Sequence, residues 1–266
     1  MIQKPFKSRQ DVVRQSSRII EEIVTTIFKM MICPSNKQSP PLKLSIQIRT
    51  IPMTSSYHLL YSFRRCPYAM CARLGILFAE LQVELREITL KHKPPQMLAI
   101  SPKGTVPVLQ LVDGTVIEES REIIIWALKH NDPQALLNSD TFEQANALID
   151  KNDNEFKYWL DRYKYADRHT EMTETEYRQK GEMFLKNLEQ LLIKNTFLLA
   201  DSATIADIAI MPFVRQFAHV DREVFKSLPY PNLQRWLKYW LDHPLFVITM
   251  TKYQPWEQDD ETVVFP

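Results

Sequence analysis

His58-Leu59-Leu60-Tyr61-Ser62-Phe63-Arg64-Arg65-Cys66-Pro67-Tyr68-Ala69 is the stretch on which the fold turns. Its first five residues make a short apolar run of strand length. Pro67 suits the first position of a helix, where its missing N–H costs nothing. Beyond it Met70, Leu74, Leu77, Phe78 and Leu81 recur at helical spacing, which predicts a helix over Tyr68–Leu81. Cys66 therefore stands between a strand and a helix N-terminus, where unpaired amides and the helix dipole favour an anion. Arg64 and Arg65 add positive charge. The expectation is a thiol with a lowered pKa, a nucleophile toward disulfides or electrophilic carbon. A buried, inert cysteine is the competing reading, because free cysteine is among the most buried residue types.

Working outward, Val83 to Ile88 alternates like a second strand, and Pro94 and Pro95 open a short helix through Leu98. Thr105 to Leu111 reads as a strand, Asp113-Gly114 as a hairpin turn, and Thr115 to Glu118 as the return strand. Ser120 to His130 reads as a helix. The order is βαβ followed by αββα, a mixed α/β domain over 57–130 with an antiparallel hairpin after a parallel unit. Residues 131–139 read as a linker. An all-helical domain is expected over 140–245: one helix or two from Phe142 to Arg168, then Thr173–Lys194, Thr204–His219 and Leu233–Leu241. Residues 246–266 read as a C-terminal tail, polar and acidic after Pro255 and expected on the surface. Residues 1–52 differ from the rest. They lack Gly, Trp and Tyr and carry nine Lys and Arg against three Asp and Glu. A disordered or loosely packed extension is the bland reading. A basic targeting or surface helix around Asp11–Met31, or a true start at Met53, are the others.

Composition excludes whole classes of function. The 266 residues hold four glycines, Gly75, Gly104, Gly114 and Gly181, and 17 prolines. A P-loop or dinucleotide fingerprint needs closely paired glycines, and none are closer than Gly104 and Gly114. The net charge of +1 gives no global field for nucleic acid. No stretch approaches the roughly 20 apolar residues of a membrane span. Three cysteines cannot build a disulfide framework, and the odd count fits a reducing, cytoplasmic setting. Cys66, Cys71 and His92 lack ligand-pair spacing, so no metal site is expected. Cys66-Pro-Tyr-Ala69 lacks the second cysteine of a C-x-x-C pair, and Cys71 falls on another helix face. An external thiol would have to resolve any mixed disulfide at Cys66.

Two further elements bear on binding. Val106-Pro107 sits inside a strand pattern, where proline is unusual. A cis bond there would leave the Val106 backbone groups open to a peptide-like ligand. Glu118-Glu119-Ser120 marks a strand-to-helix junction, with Ser120 as N-cap and a helix N-terminus suited to a carboxylate. Capping alone is the competing reading. An aromatic stripe, Phe156, Tyr158, Trp159 and Tyr163, reads as a pocket wall or, more simply, as core.

Together these elements resemble the glutathione transferase superfamily over residues 57–245. Thr105-Val-Pro-Val108 matches that family's cis-proline strand, Glu119-Ser120 its Glu/Gln-Ser pair, and Thr204-Ile-Ala-Asp207 its buried capping box. Cys66-Pro-Tyr-Ala69 and Ile88 to Pro94 are similar to the cysteine-type, omega-like members. The resemblance implies a thioredoxin-like first domain and glutathione as cosubstrate, with Cys66 forming the mixed disulfide. It places Lys93 at the glycyl carboxylate, Val106 and Pro107 at the cysteinyl moiety, and Glu119 with Ser120 at the γ-glutamyl end. A homodimer and a small disulfide or electrophilic second substrate are implied too. Tyr61 and Ser62 stay open as hydroxyl activators. The function expected is a glutathione-dependent thiol transferase. Glutathione conjugation to electrophiles and a non-catalytic binding or scaffold module are the alternatives.

Overall fold

The computed structural model describes residues 57–266. The expectations for residues 1–52, for Cys33 and for a start at Met53 lie outside the described residues. In chain order the elements are β1 (His58–Ser62), α1 (Pro67–Phe78), β2 (Val83–Glu87), α2 (Pro95–Ile100), β3 (Val108–Gln110), β4 (Val116–Ile117) and α3 (Ser120–His130). The helical part follows with α4 (Ser139–Lys151), a π-helical turn (Asn152–Phe156), α5 (Lys157–Lys164) and α6 (Glu174–Lys194). Then come α7 (Ile205–Ala218), α8 (Arg222–Ser227), α9 (Pro231–Asp242), α10 (Pro244–Thr249) and a last strand, β5 (Val264–Phe265). This is the mixed α/β domain with an all-helical part that the hydrophobic periods predict.

The sheet order is β4-β3-β1-β2-β5, with β1 parallel to β2 and the other pairings antiparallel. Strand alternation sorts the side chains. Leu60, Leu85 and Leu109 are partners in register and enter the main core under α1 and α3. Tyr61 and Val108 face the other side and pack with Ile88, Met97 of α2 and Val106. The two faces of the sheet are thus covered by different helices, which leaves the strand ends free to carry loops.

β5 is a correction to the surface tail expected from polar composition. Val264 and Phe265 pair with Glu84 and Val83, and the Phe265 side chain is fully buried. A two-residue strand followed by proline has too little pattern for a sequence period to register, and only pairing with β2 gives it a place. The short α8 and α10 were missed for the same reason of length.

α1 is buried on almost every side. It packs on α3 across the sheet face and on α7 and α10 from the helical part. Gly75 permits a close helix–helix approach: a Cβ there would lie 2.8 Å from the Ile124 Cα of α3. Gly181 of α6 plays the same part against Phe217 of α7, whose ring a Cβ would meet at 2.7 Å. The capping box at α7 forms as read. Asp207 Oδ2 accepts from the Thr204 amide at 2.9 Å and from its hydroxyl at 3.0 Å. Asp207 Oδ1 accepts from the Leu198 amide at 3.1 Å and the Trp236 indole at 2.8 Å. One buried carboxylate therefore ties α7 to α9 and to the loop before it.

Candidate functional site

A cavity of about 670 Å³ opens where the C-terminal end of β1, the α2–β3 loop and the start of α3 meet the helical part. Cys66, Lys93, Val106, Pro107, Glu119 and Ser120 all line it, so the fold brings the six predicted positions together. The backbone explains why. The turn after β1 closes with the Cys66 amide donating to the Phe63 carbonyl at 2.9 Å. Cys66 is then the N-cap of α1, with extended backbone (φ −79°, ψ 124°) and Pro67 at the first helical position. The Val106-Pro107 peptide is cis, and β3 begins only at Val108, so Val106 stands outside the ladder. Its carbonyl accepts the Cys66 thiol at 3.6 Å.

The thiol differs from expectation. Burial is the largest influence on Cys66 and pushes its pKa up. The amides of Ala69 and Tyr68 and the cations Lys157 and Lys164 of α5 pull it part of the way back. The helix terminus does act as predicted, but the sulfur sits deeper than an exposed N-cap would. The supporting cations come from a helix more than 90 residues later in the chain, whose arrival no local spacing announces.

The strand-to-helix junction also differs by one residue. Glu119 is the N-cap of α3, with no side-chain cap, and Ser120 is its first helical residue. Serine at the first turn leaves its hydroxyl beside the free amides. The Glu119 carboxylate pairs with Lys103, and the Glu118 carboxylate accepts the Ser101 hydroxyl. Lys103 precedes Gly104, whose φ of +64° makes the turn into Thr105-Val106. A Cβ at Gly104 would come within 3.4 Å of the Lys93 ammonium, so the glycine also leaves room for that side chain.

Tyr61 and Ser62 do not reach the cavity. The Tyr61 hydroxyl accepts from Arg86 at 3.1 Å and the Ser62 hydroxyl from Arg73 at 2.9 Å, and both residues are buried. Phe156 and Tyr163 are core residues, Trp159 is half-buried and Tyr158 is exposed. None of the aromatic stripe lines the cavity. Its helical wall is polar instead: Asp150, Asp153 and Asn154 sit at the end of α4 and in the π-helical turn. Asp150 pairs with Arg121 at 2.7 Å. Burial pushes the Asp153 carboxyl up, and the Asn152 amide donating at 3.0 Å pulls it back. Lys103, Arg121, Asp153 and Asn154 were missed in the sequence. Lys103 and Arg121 could have been found by their adjacency to Gly104 and Ser120, whereas a π-turn has no sequence period to find. Among the described residues no group of three or more His, Cys, Asp or Glu could hold a metal ion, and no helix is long and apolar enough to cross a membrane.

Comparison with known proteins gives two family matches. Residues 60–135 match the glutathione S-transferase N-terminal domain, and residues 157–238 the C-terminal domain of the same name. Together they span more than half the chain. Elongation factor 1-gamma 1 of Oryza sativa is 25% identical over 200 residues, covering 66% of this chain and 47% of that one. The chain thus spans under half the length of this relative. Glutathione S-transferase omega-1 of Sus scrofa is 30% identical over 94 residues, covering 35% of this chain and 39% of that one. Among solved structures, a glutathione transferase family member from Pseudomonas fluorescens with two glutathione bound is similar at TM-score 0.64 and 17% identity. That likeness covers 73% of this chain and 92% of the other.

Proposed function

Because this chain belongs to the glutathione S-transferase superfamily, we propose that its cavity binds glutathione and that Cys66 exchanges disulfides with it. The observation that carries the reading is Cys66 itself, an N-cap thiol on the wall of a 670 Å³ cavity beside a cis Val-Pro peptide. Cys71, the other described cysteine, is buried with its thiol donating to the Ala209 carbonyl at 3.2 Å. It is not placed to resolve a disulfide at Cys66, which fits an external thiol.

The reaction balances with glutathione alone. The Cys66 thiolate attacks the glutathione sulfur of a mixed disulfide RS–SG. The Cys66–SG bond forms, the RS–SG bond breaks, and RS⁻ leaves and takes a proton from water. A glutathione thiolate then attacks Cys66–SG, giving oxidised glutathione and restoring the Cys66 thiolate. Lys93 and the first-turn amides of α3 supply positive partners for the tripeptide's carboxylates. Glu119, released from Lys103, supplies a partner for its ammonium. Lys103 would then be free to meet a carboxylate. The cytoplasmic setting, the homodimer and the boundaries 57–130 and 140–245 belong to the same proposal.

Mass spectrometry after incubation with oxidised glutathione tests it. A single glutathione adduct mapping to Cys66, absent from Cys66→Ser along with all disulfide exchange, is the expected result. An adduct elsewhere, or exchange that survives the substitution, refutes it. Aryl-halide conjugation surviving Cys66→Ser would instead favour electrophile conjugation. The likeness to elongation factor 1-gamma over 66% of the chain favours a second reading, a binding module on this fold. That reading predicts neither adduct nor retention on a glutathione resin.

A further inference from the structure

Most charges on the wall of the Cys66 cavity have partners. Lys103 pairs with Glu119, Arg121 with Asp150, and Glu118 accepts the Ser101 hydroxyl. With glutathione bound as above, Lys93 meets the tripeptide. Asp153 is left over. It lines the cavity from the π-helical turn, half-buried, and makes no ion pair with a described residue. Such turns recur at functional sites, because the widened backbone resets which side chains face inward. Asn152 is fully buried, and its amide donates to Asp153 Oδ1 at 3.0 Å. One carboxylate oxygen is thus fixed, and no described residue donates to the other. Lys157, one turn on, pairs with Asp161 instead. Arg121, already paired with Asp150, is the cation that acts on Asp153, while Asp150 and Glu119 act against its ionisation.

Tyr68 lines the same cavity from the first turn of α1, two residues after Cys66. Its ring packs edge-to-face on Phe213 of α7 at 4.8 Å. Its hydroxyl has no hydrogen bond with a described residue. Burial holds the phenol protonated, and Asp153 is foremost among the charges acting the same way. The cavity of the thiol therefore also carries a carboxylate oxygen and a phenol oxygen, both without donors. That set suits a protonated primary amine, which brings three N–H donors and the missing positive charge. A neutral substituent would desolvate the carboxylate and leave it uncompensated.

We propose that the second substrate of Cys66 is a small disulfide of an aminothiol, whose ammonium group is held by Asp153 and the Tyr68 hydroxyl. This rests on the thiol-exchange reading above and names its substrate class. In the glutathione mixed disulfide of such a thiol, Cys66 attacks the glutathione sulfur. The Cys66–SG bond forms, the RS–SG bond breaks, and the aminothiol leaves as a thiolate that takes a proton from water.

Binding is tested apart from chemistry with three thioethers that cannot exchange: S-(2-aminoethyl), S-(2-hydroxyethyl) and S-carboxymethyl glutathione. Isothermal titration calorimetry on the full chain should find the amine bound about tenfold more tightly than the alcohol, and the carboxylate weakest. Asp153→Asn keeps an acceptor for Asn152 and should bring the amine-to-alcohol ratio to about one. Tyr68→Phe should lower that ratio about two- to threefold. Equal binding of amine and alcohol, or a ratio unchanged by Asp153→Asn, overturns the proposal. So does an equal loss for all three thioethers and for glutathione in Asp153→Asn, since the carboxylate would then serve the tripeptide's own ammonium. The glutathione mixed disulfides of 2-aminoethanethiol and 2-mercaptoethanol should repeat the order in kcat/KM. No binding of glutathione or of any thioether refutes the glutathione reading together with the proposal. An amine preference in binding without turnover of either disulfide would instead count against exchange at Cys66 alone.

Discussion

Replacing Glu87 by Ala tests how the Cys66 loop is held. Glu87, at the end of β2, is 7% exposed, and its partner Arg73 on α1 is fully buried. One carboxylate oxygen accepts the Arg64 amide at 2.6 Å and the other pairs with Arg73. Arg73 also donates to the Ser62 hydroxyl at 2.9 Å and the Thr249 carbonyl at 3.0 Å, with the rings of Tyr253 and Phe265 against its guanidinium. Burial pushes Glu87 up and Arg73 down, and each is pulled back by the other's charge. Removing the carboxylate leaves a guanidinium buried and unpaired, a loss of about 3–5 kcal/mol. The unpaired Arg64 amide adds about 1 kcal/mol. Against a typical domain stability of about 5–15 kcal/mol, that is a large fraction. Urea unfolding followed by circular dichroism should show a fall of about 4–6 kcal/mol for Glu87→Ala. Arg73→Met with Glu87→Met should recover most of it, because apolar replacement removes both desolvation costs. The double variant should still alkylate Cys66 at a changed rate, since the Arg64 amide has lost its acceptor. A fall under about 1 kcal/mol, or a double variant no more stable than the single one, would refute the reasoning.

Gly75→Ala should destabilise by about 1–3 kcal/mol, although alanine is the better helix former, because the atom it meets at 2.8 Å is Ile124 backbone and cannot rotate away; urea unfolding reads the sign. Asp207→Asn offers one acceptor oxygen where two now serve four donors, so a loss of about 2–4 kcal/mol is expected, with thermal unfolding as the check. Iodoacetamide alkylation of Cys66 should rise with pH to an inflection above the ordinary thiol value of about 8.5, because burial is the largest influence on it. Lys157→Gln should move that inflection higher still, and an inflection below about 8 would contradict the burial argument.

The sequence carries this fold where periods are long enough to resolve. β1 and α1 change period at Cys66-Pro67, and the Asp113-Gly114 turn separates β3 from β4, so these elements stand near the predicted places. Elements of six residues or fewer in the helical part, α8 and α10, have under two turns and no usable period. β5 depends on an edge offered by β2. At the site, Cys66, Val106, Pro107, Glu119 and Ser120 were legible because each marks a backbone event: a cap, a cis peptide or a helix start. Lys93 was reached by resemblance, and Lys103, Arg121, Asp153, Lys157 and Lys164 were not reached at all. Those five act by charge and proximity, and charge leaves no pattern until the fold has chosen neighbours. The same holds for the sign of the Cys66 shift. Helix position is local, but burial is set by packing from α5 and the cavity wall.

The scarcity of glycine has a structural counterpart. A glycine-rich loop binds by letting backbone amides converge on an anion. Here convergence comes from three separate chain reversals, at Cys66-Pro67, Gly104 to Pro107 and Glu119-Ser120, held by the sheet. Each contributes amides or carbonyls, and only the middle one needs a positive φ, at Gly104. Such a site is made of main-chain groups at fixed positions, with charge added by long side chains from outside.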